Sequence, residues 1–541
     1  MTNGTSTRRH LPGAALAGIT ILVGVAVLFR PDGLSVDRAV LATLVVMIGL
    51  LPTAVHLWRP QATRSDLPLT PFVGLFYAVF FGFPVFLADQ LRGVPGYQRW
   101  TPTEGIEFYT NAYIRDIEPG ALTLLVVGLI LLFGCWFIAA RAYPKSGPVF
   151  GLPADYAPSR PQTLLWVLAL GNLAYIVFPQ IRALPSVGQF LQPVGIIAMG
   201  MFFLLTCRRE LPWWQAAAYF LVLVPVWLAY QFGSGFLTTM IYSASFLFVV
   251  FLYHYRRIPL LLIAGVALSV LLLAASYPVL TSLRTFVWEK DAKLSIVDQI
   301  LLVPDAVLWA YKKGSKDYKE SVKHQRENKA YEKSTSVYLA DPGIDDPGLE
   351  ETPAWKEQTP AFTGLIRRIS LVLPLSHVVS MTPESVPYWR GETYKPFFTS
   401  WIPRVFWSGK PREVAGNAFG RRYAILPEDE TGTSVNFPWV TEMYANFGTA
   451  GVIVGMSLAG LLLGLLQQFF VGSGRTPLEF VVGSGLIFPL FYQESNFSLM
   501  TGSLLPLAVC LWLYFRFGLG GLRRNRSRPG REAEEEDGIG P

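Results

Sequence analysis

From Gly120 to Ala140 the chain reads GALTLLVVGLILLFGCWFIAA, an apolar run without one charged side chain. About 20 such residues in helical form cross the hydrocarbon core of a bilayer. Backbone placed there must satisfy its own N–H and C=O groups, which restricts it to helices or a closed barrel. Comparable runs recur along the chain, at approximately Leu11–Phe29, Ala39–Trp58, Leu69–Ala88, Leu164–Phe178, Phe190–Thr206, Trp213–Tyr230, Gly235–Tyr253, Ile258–Leu280, Val440–Phe470, Leu478–Tyr492 and Leu504–Phe517. Those at Leu164 and Leu478 are short for a full crossing. Charged residues make up 15% of the 541, against about 25% in soluble chains. The expectation is an all-α polytopic membrane protein with about twelve transmembrane helices.

The first run is longer than the apolar part of a secretory signal and ends in Arg30-Pro31-Asp32-Gly33 rather than in small residues, so it reads as a retained span. The net charge is +7, and its distribution reports orientation more than nucleic-acid binding. With the N-terminus inside, alternate loops carry Arg8 and Arg9, Arg59 and Arg64, Arg141, Lys145 and Arg160, Arg208 and Arg209, Arg256 and Arg257, and Arg475. The tail adds Arg523, Arg524, Arg526 and Arg528, whereas the opposite loops hold fewer cations or balance them with acids. Positive-inside bookkeeping therefore expects both termini in the cytoplasm. The division is 1–280 for the first nine spans, 281–439 for one large extracytoplasmic loop, 440–520 for three more spans, and 521–541 for a disordered cytoplasmic tail.

Cys135, Cys207 and Cys510 lie apart, which supports neither a disulfide framework nor a CxxC site. The five histidines show no metal-ligand spacing, and neither metal nor cofactor is expected.

The large loop has two parts. Tyr311–Lys333 mixes Lys with acids at helical spacing and reads as a solvated helix, followed by the turn-rich, acidic DPGIDDPGLEETP. The part from Ala361 to Trp439 is rich in Trp, Tyr and Pro. Between Arg367 and Arg422 it holds nine cations (Arg367, Arg368, Arg390, Lys395, Arg404, Lys410, Arg412, Arg421, Arg422) against three Glu. Within it, SLVLPLSHVVS is too short to span and suits an interfacial or re-entrant segment. Two readings of the cations stand. One makes Trp and Arg headgroup anchors. The other makes an anion site with aromatic surfaces for sugar rings beside it, since Arg offers bidentate bonds to phosphate.

The series Thr382-Pro383, Val386-Pro387-Tyr388, Gly391, Thr393-Tyr394, Ile402-Pro403-Arg404, Trp407, Lys410-Pro411, Gly416, Phe419-Gly420 and Tyr423 resembles the bacterial O-antigen polymerases, the oligosaccharide repeat-unit polymerases of Wzy type, which are related to O-antigen ligases. Glu442, Tyr444, Asn446, Phe447, Gly448 and Gly451 continue it downstream, and LPSVGQF at Leu184–Phe190 also matches the family's look. The resemblance implies an all-helical fold similar to membrane-embedded, lipid-donor glycosyltransferases (GT-C-like). It implies a reaction on the outer face of the cytoplasmic membrane, in which a glycan on undecaprenyl diphosphate passes to another lipid-linked repeat unit. Undecaprenyl-diphosphate-linked oligosaccharides are then the partners, together with a chain-length regulator and a flippase of the same pathway. Tyr388, Tyr394, Trp407, Tyr423, Tyr444 and Asn446 would be substrate contacts.

Departure of a diphosphate builds negative charge, which cations stabilise if they hold it best in the transition state. No DxD occurs in the outer loop, so Arg and Lys are the expected agents: Arg404, Lys410 and Arg412 first, then Arg284 and Arg367 or Arg368. For a base the leading residue is Glu442, expected in the second turn of a helix starting near Asn436-Phe437-Pro438, with Asn446 and Thr449 on its face. Glu494 and His377 are the other candidates. Gly451/Gly455 and Gly460/Gly464 are small-xxx-small pairs expected to pack helices closely. Alternatives are a ligase using another acceptor, a polysaccharide or lipid-linked sugar transporter, and a non-catalytic scaffold; a transporter would show repeated halves and broken helices.

Overall fold

The computed structural model describes residues 20–30 except 22, 34–58, 69–91, 98–101, 105–108, 117–143, 147–153, 159–182, 187–233, 237–255, 369–402, 414–426 and 434–526, with isolated positions between. Among these the fold is almost wholly helical. Among the described residues seven helices are long and apolar enough to cross a membrane: Val36–His56, Thr70–Leu87, Pro119–Ala142, Phe190–Cys207, Trp213–Gln231, Trp439–Val471 and Phe497–Leu519. Pro161–Val177, Met240–Tyr255, Val372–Met381 and Pro477–Phe491 are shorter apolar helices. The sequence-derived span Leu11–Phe29 is described only in part. Ile258–Leu280, like the charged Tyr311–Lys333 and the acidic turns after it, lies almost wholly or wholly outside the described residues.

One departure from an all-α fold is a two-stranded antiparallel hairpin, Gln98–Thr101 with Gly105–Phe108, in the register Gln98 to Phe108 and Thr101 to Gly105. QRWT and GIEF on either side of Pro102-Thr103-Glu104 carry the local signal for it.

Helices in lipid gain nothing from burying apolar surface against one another, so close backbone approach decides which faces meet. The most extensive helix pair is Pro119–Ala142 with Trp439–Val471. A side chain at Gly460 would begin 2.2 Å from the Leu132 carbonyl oxygen, and one at Gly464 2.7 Å from that of Trp136. This second small-xxx-small pair therefore joins helices as its spacing implied. Val36–Trp58 meets Thr70–Tyr77 where Gly49 faces Gly74.

Residues Ala78–Gly82 form a π turn, which loosens the regular carbonyl pattern. The Leu371 N–H donates to Phe80 O there at 2.9 Å. That bond seats Val372–Met381, whose Val372, Leu373, Pro374, Leu375, Ser376 and Val378 are buried. The short segment is thus inserted among helices; it does not lie along a surface as the interfacial alternative would have it. The Glu118 N–H donates to Ser376 Oγ (2.7 Å), and Arg38 Nε to Ile117 O (2.8 Å), which gathers residues 35–38, 117–120 and 376–380 at one end of the bundle.

The other end is tied by Glu479. Thr476 caps the helix Pro477–Ile487, and its Oγ1 accepts the Glu479 N–H. The Glu479 carboxylate in turn accepts N–H bonds from Val149 (3.1 Å), Phe150 (2.9 Å), Gly151 (2.7 Å) and Leu152 (3.2 Å). Such a nest of successive amides gives a buried carboxylate its hydrogen-bond partners. The Tyr514 hydroxyl donates to Leu164 O (2.7 Å) near the same end.

Candidate functional site

Trp439–Val471 is two helices. Gly448 has φ 63° and ψ −148°, which is non-helical, so the sequence expectation of one continuous span from Val440 is corrected. This backbone region is open to glycine almost alone. A Cβ on Gly448 would also lie 2.6 Å from Tyr388 Oη. In a straight helix Met443 and Gly455 would be roughly 18 Å apart along the axis. Here a Cβ on Gly455 would stand 2.6 Å from Met443 Sδ, and one on Gly451 2.3 Å from Met443 O. The short arm 439–447 therefore folds back along the start of the long arm, and the pair Gly451/Gly455 admits it. Thr449, expected on the same face as Glu442 and Asn446, belongs to the long arm instead.

A broken helix leaves carbonyls without partners, a costly state away from water. The segment VPYWRG supplies them. The Trp389 N–H donates to Ala445 O (3.0 Å) and the Arg390 N–H to Asn446 O (3.2 Å). The Gly391 N–H donates to Asn446 Oδ1 (2.8 Å). Left-handed φ values at Arg390 (52°) and Gly391 (86°) turn these amides toward the helix end. Asn446 Nδ2 donates to Thr393 Oγ1 and to Glu442 O, both at 2.8 Å. Asn446 is thus the bolt between the short arm and the 388–394 loop.

Glu442 is fully buried in the first turn of the short arm, one turn earlier than the sequence reading, because the helix begins at Trp439 after Pro438. Its Oε2 accepts the Phe497 N–H at 2.7 Å. Burial, and next the negative charge of Glu442, push the Tyr394 phenol up from its ordinary value, so Tyr394 stays neutral. Glu494 is buried as well and accepts from Asn436 Nδ2 at 2.8 Å. Ser498 Oγ donates to Thr393 O (3.2 Å), and the Tyr77 hydroxyl to Gln493 Oε1 (2.6 Å). The result is a buried polar floor of Thr393, Glu442, Asn446, Glu494 and Ser498 at this end of the bundle. Burying carboxylates is costly unless they are well bonded, and Glu442 and Glu494 are both bonded here, so this floor is the candidate site.

Beside it, Tyr388, Tyr423 and Tyr444 gather. Tyr423 Oη and Thr382 Oγ1 share a hydrogen bond of 2.9 Å, and the Tyr444 hydroxyl donates to Thr382 O at 3.4 Å. Burial raises the Tyr423 phenol, opposed by its bond to Thr382. His377 Nε2 is 2.8 Å from Tyr423 O. A carbonyl can only accept, so Nε2 carries the proton, and the ring ties Val372–Met381 to Ala415–Arg422.

The cation set divides. Lys410 Nζ donates to Ser400 O (3.0 Å) and Ile402 O (2.9 Å), closing the end of Lys395–Ser400. Trp407 is 38% exposed. Arg284, Arg367, Arg368, Arg404 and Arg412 lie outside the described residues. Sequence reasoning counted Arg422 among the nine cations without singling it out; its guanidinium lies 4.3 Å over the Trp389 ring and donates to Pro387 O (2.6 Å). It quoted Thr393 only within the resemblance and passed over Ser498 and Glu479. For Arg422 the signal was its place in the basic stretch; for the others the partners come from distant segments.

A family model described as a domain of unknown function (DUF8712) matches residues 324–503, which include the whole polar floor and the part of the resemblance from Thr382 to Gly451. No curated protein and no solved structure matches the chain.

Proposed function

We propose that the chain polymerises undecaprenyl-diphosphate-linked oligosaccharide repeat units into O-antigen, exopolysaccharide or capsule. On this reading it is a multi-pass enzyme of the bacterial cytoplasmic membrane with about twelve spans. Its termini are cytoplasmic, and residues 281–439 face outward. The observation that carries the reading is the meeting of three separate segments, 388–394, 439–448 and 493–498, in one buried polar floor. Two of these carry the family resemblance. The third supplies Glu494 and the N–H that holds Glu442.

In the reaction the anomeric C–O bond to diphosphate breaks, and a new C–O bond forms to a hydroxyl of the acceptor unit. The Phe497 N–H holds the Glu442 carboxyl in place, and a fixed carboxylate is suited to take the hydroxyl proton. Arg404, Arg412 and their neighbours neutralise the charge left on the carrier diphosphate. Tyr388, only partly buried, offers its ring face to sugar, while the Tyr444 hydroxyl is engaged with Thr382 O.

Replacing Arg404 by Ala, at unchanged protein level, is expected to abolish polymer and leave single repeat units on lipid. Polymer of normal length in that strain would exclude the role. Glu442→Gln keeps an oxygen to accept the Phe497 N–H, so the fold should persist. Turnover with purified donor and acceptor is expected to fall about 10²–10⁴-fold. Wild-type turnover would reduce Glu442 to a packing residue.

A further inference from the structure

Lys395–Ser400 and the two residues after it present Phe398, Trp401 and Ile402 at i, i+3 and i+4, hence on one face. Their exposures are 76%, 40% and 41%. The adjoining face, on which the Phe397 ring meets that of Trp401 at 5.0 Å, is anchored. The Phe397 ring lies 5.3 Å from that of Phe497, and a Cβ on Gly502 would lie 2.6 Å from Ser400 Cβ. The helix therefore sits at the start of the apolar span Phe497–Leu519. That span exposes Leu499, Leu505 and Val509, so the outward apolar faces of helix and span belong to one end of the bundle.

We propose that this short helix is a membrane-interface anchor, with Phe398, Trp401 and Ile402 seated at the headgroup–acyl boundary of the leaflet where the last span begins. Aromatic and aliphatic side chains on one face of a helix, with cations at its ends, suit that boundary. Both ends carry Lys. Lys395 is exposed where the helix starts. Lys410 closes the other end by taking Ser400 O and Ile402 O, carbonyls that an apolar environment would otherwise leave unsatisfied. Thr393 and Tyr394, which touch the polar floor, immediately precede the helix, so the anchor fixes the height of the floor against the lipid surface. The inference rests on the chain being embedded in a membrane and is independent of any glycan substrate.

The test uses the full chain in lipid nanodiscs, with Cys135, Cys207 and Cys510 replaced by Ala. A single NBD label is placed through Phe398→Cys, Ile402→Cys or, on the turn before the helix, Glu392→Cys. At 398 and 402 the expected result is blue-shifted emission, quenching by lipids spin-labelled near the top of the acyl chain, and loss of the iodide quenching seen at 392. Iodide quenching at 398 and 402 equal to that at 392 would overturn the anchor in favour of a water-exposed face. Protection from both quenchers would overturn it in favour of a protein partner, a second copy included. Two labelled positions on the face keep one misfolded variant from deciding the matter.

Discussion

Gly448→Ala is expected to cost the protein roughly 2–6 kcal/mol, the sum of a glycine-only backbone region and an overpacked contact. The new Cβ would meet Tyr388 Oη at 2.6 Å in a backbone with φ 63° and ψ −148°. Relaxation to a continuous helix is the alternative. It would swing the short arm out of its fold-back and strip Ala445 O and Asn446 O of the Trp389 and Arg390 amides. Either outcome disperses the polar floor. Denaturation in detergent should show the loss, and activity should vanish with it. Adding Tyr388→Ala should recover only the part due to the clash, since the backbone strain remains. A fully stable, active Gly448→Ala protein would mean that the helix is not broken at this point.

Glu479→Ala should be of similar size at the opposite end of the bundle. Four backbone amides, those of Val149, Phe150, Gly151 and Leu152, would lose one shared acceptor. A buried donor without a partner costs about 1–3 kcal/mol, and loss of the group that holds several is expected to reach about 3–5 kcal/mol. Amide exchange in residues 147–153 should accelerate strongly while exchange at Asn446 and Gly391 changes little, because those lie at the other end. Glu479→Gln should be intermediate: its carboxamide oxygen still accepts, but its NH₂ faces donors. Unchanged exchange in Glu479→Ala would show that the loop is held by its apolar residues Phe150 and Leu152 instead.

Legibility divides along the same lines. Apolar runs such as 119–142 and 190–207 could be read as spans because transfer into hydrocarbon is nearly additive over neighbouring residues. The short runs near 164 and 478 are short helices in the structure too. Gly451/Gly455 and Gly460/Gly464 announced close approach, but not to what. One pair receives the neighbouring helix 119–142, and the other receives the chain's own folded-back arm. Glu442, Glu494, Asn446 and the Tyr residues could be singled out one by one, yet nothing local said that Phe497, Thr393 and Asn436 would be their partners. Lys410 shows the converse: a cation in a basic stretch reads as an anion ligand until the carbonyls of Ser400 and Ile402 are found beside it.

By itself the sequence determined that the chain is built of apolar helices, where most of them run, and which residues are chemically conspicuous. These follow from composition summed over one or two turns. Only the tertiary structure decided that Gly448 breaks a helix and that Asn446 bolts the break to residues 391–393. It also decided that Glu479 holds the 149–152 loop. Each is a hydrogen bond or a steric contact between segments far apart in the chain, and a backbone angle or an acceptor's partner is set by what arrives from elsewhere.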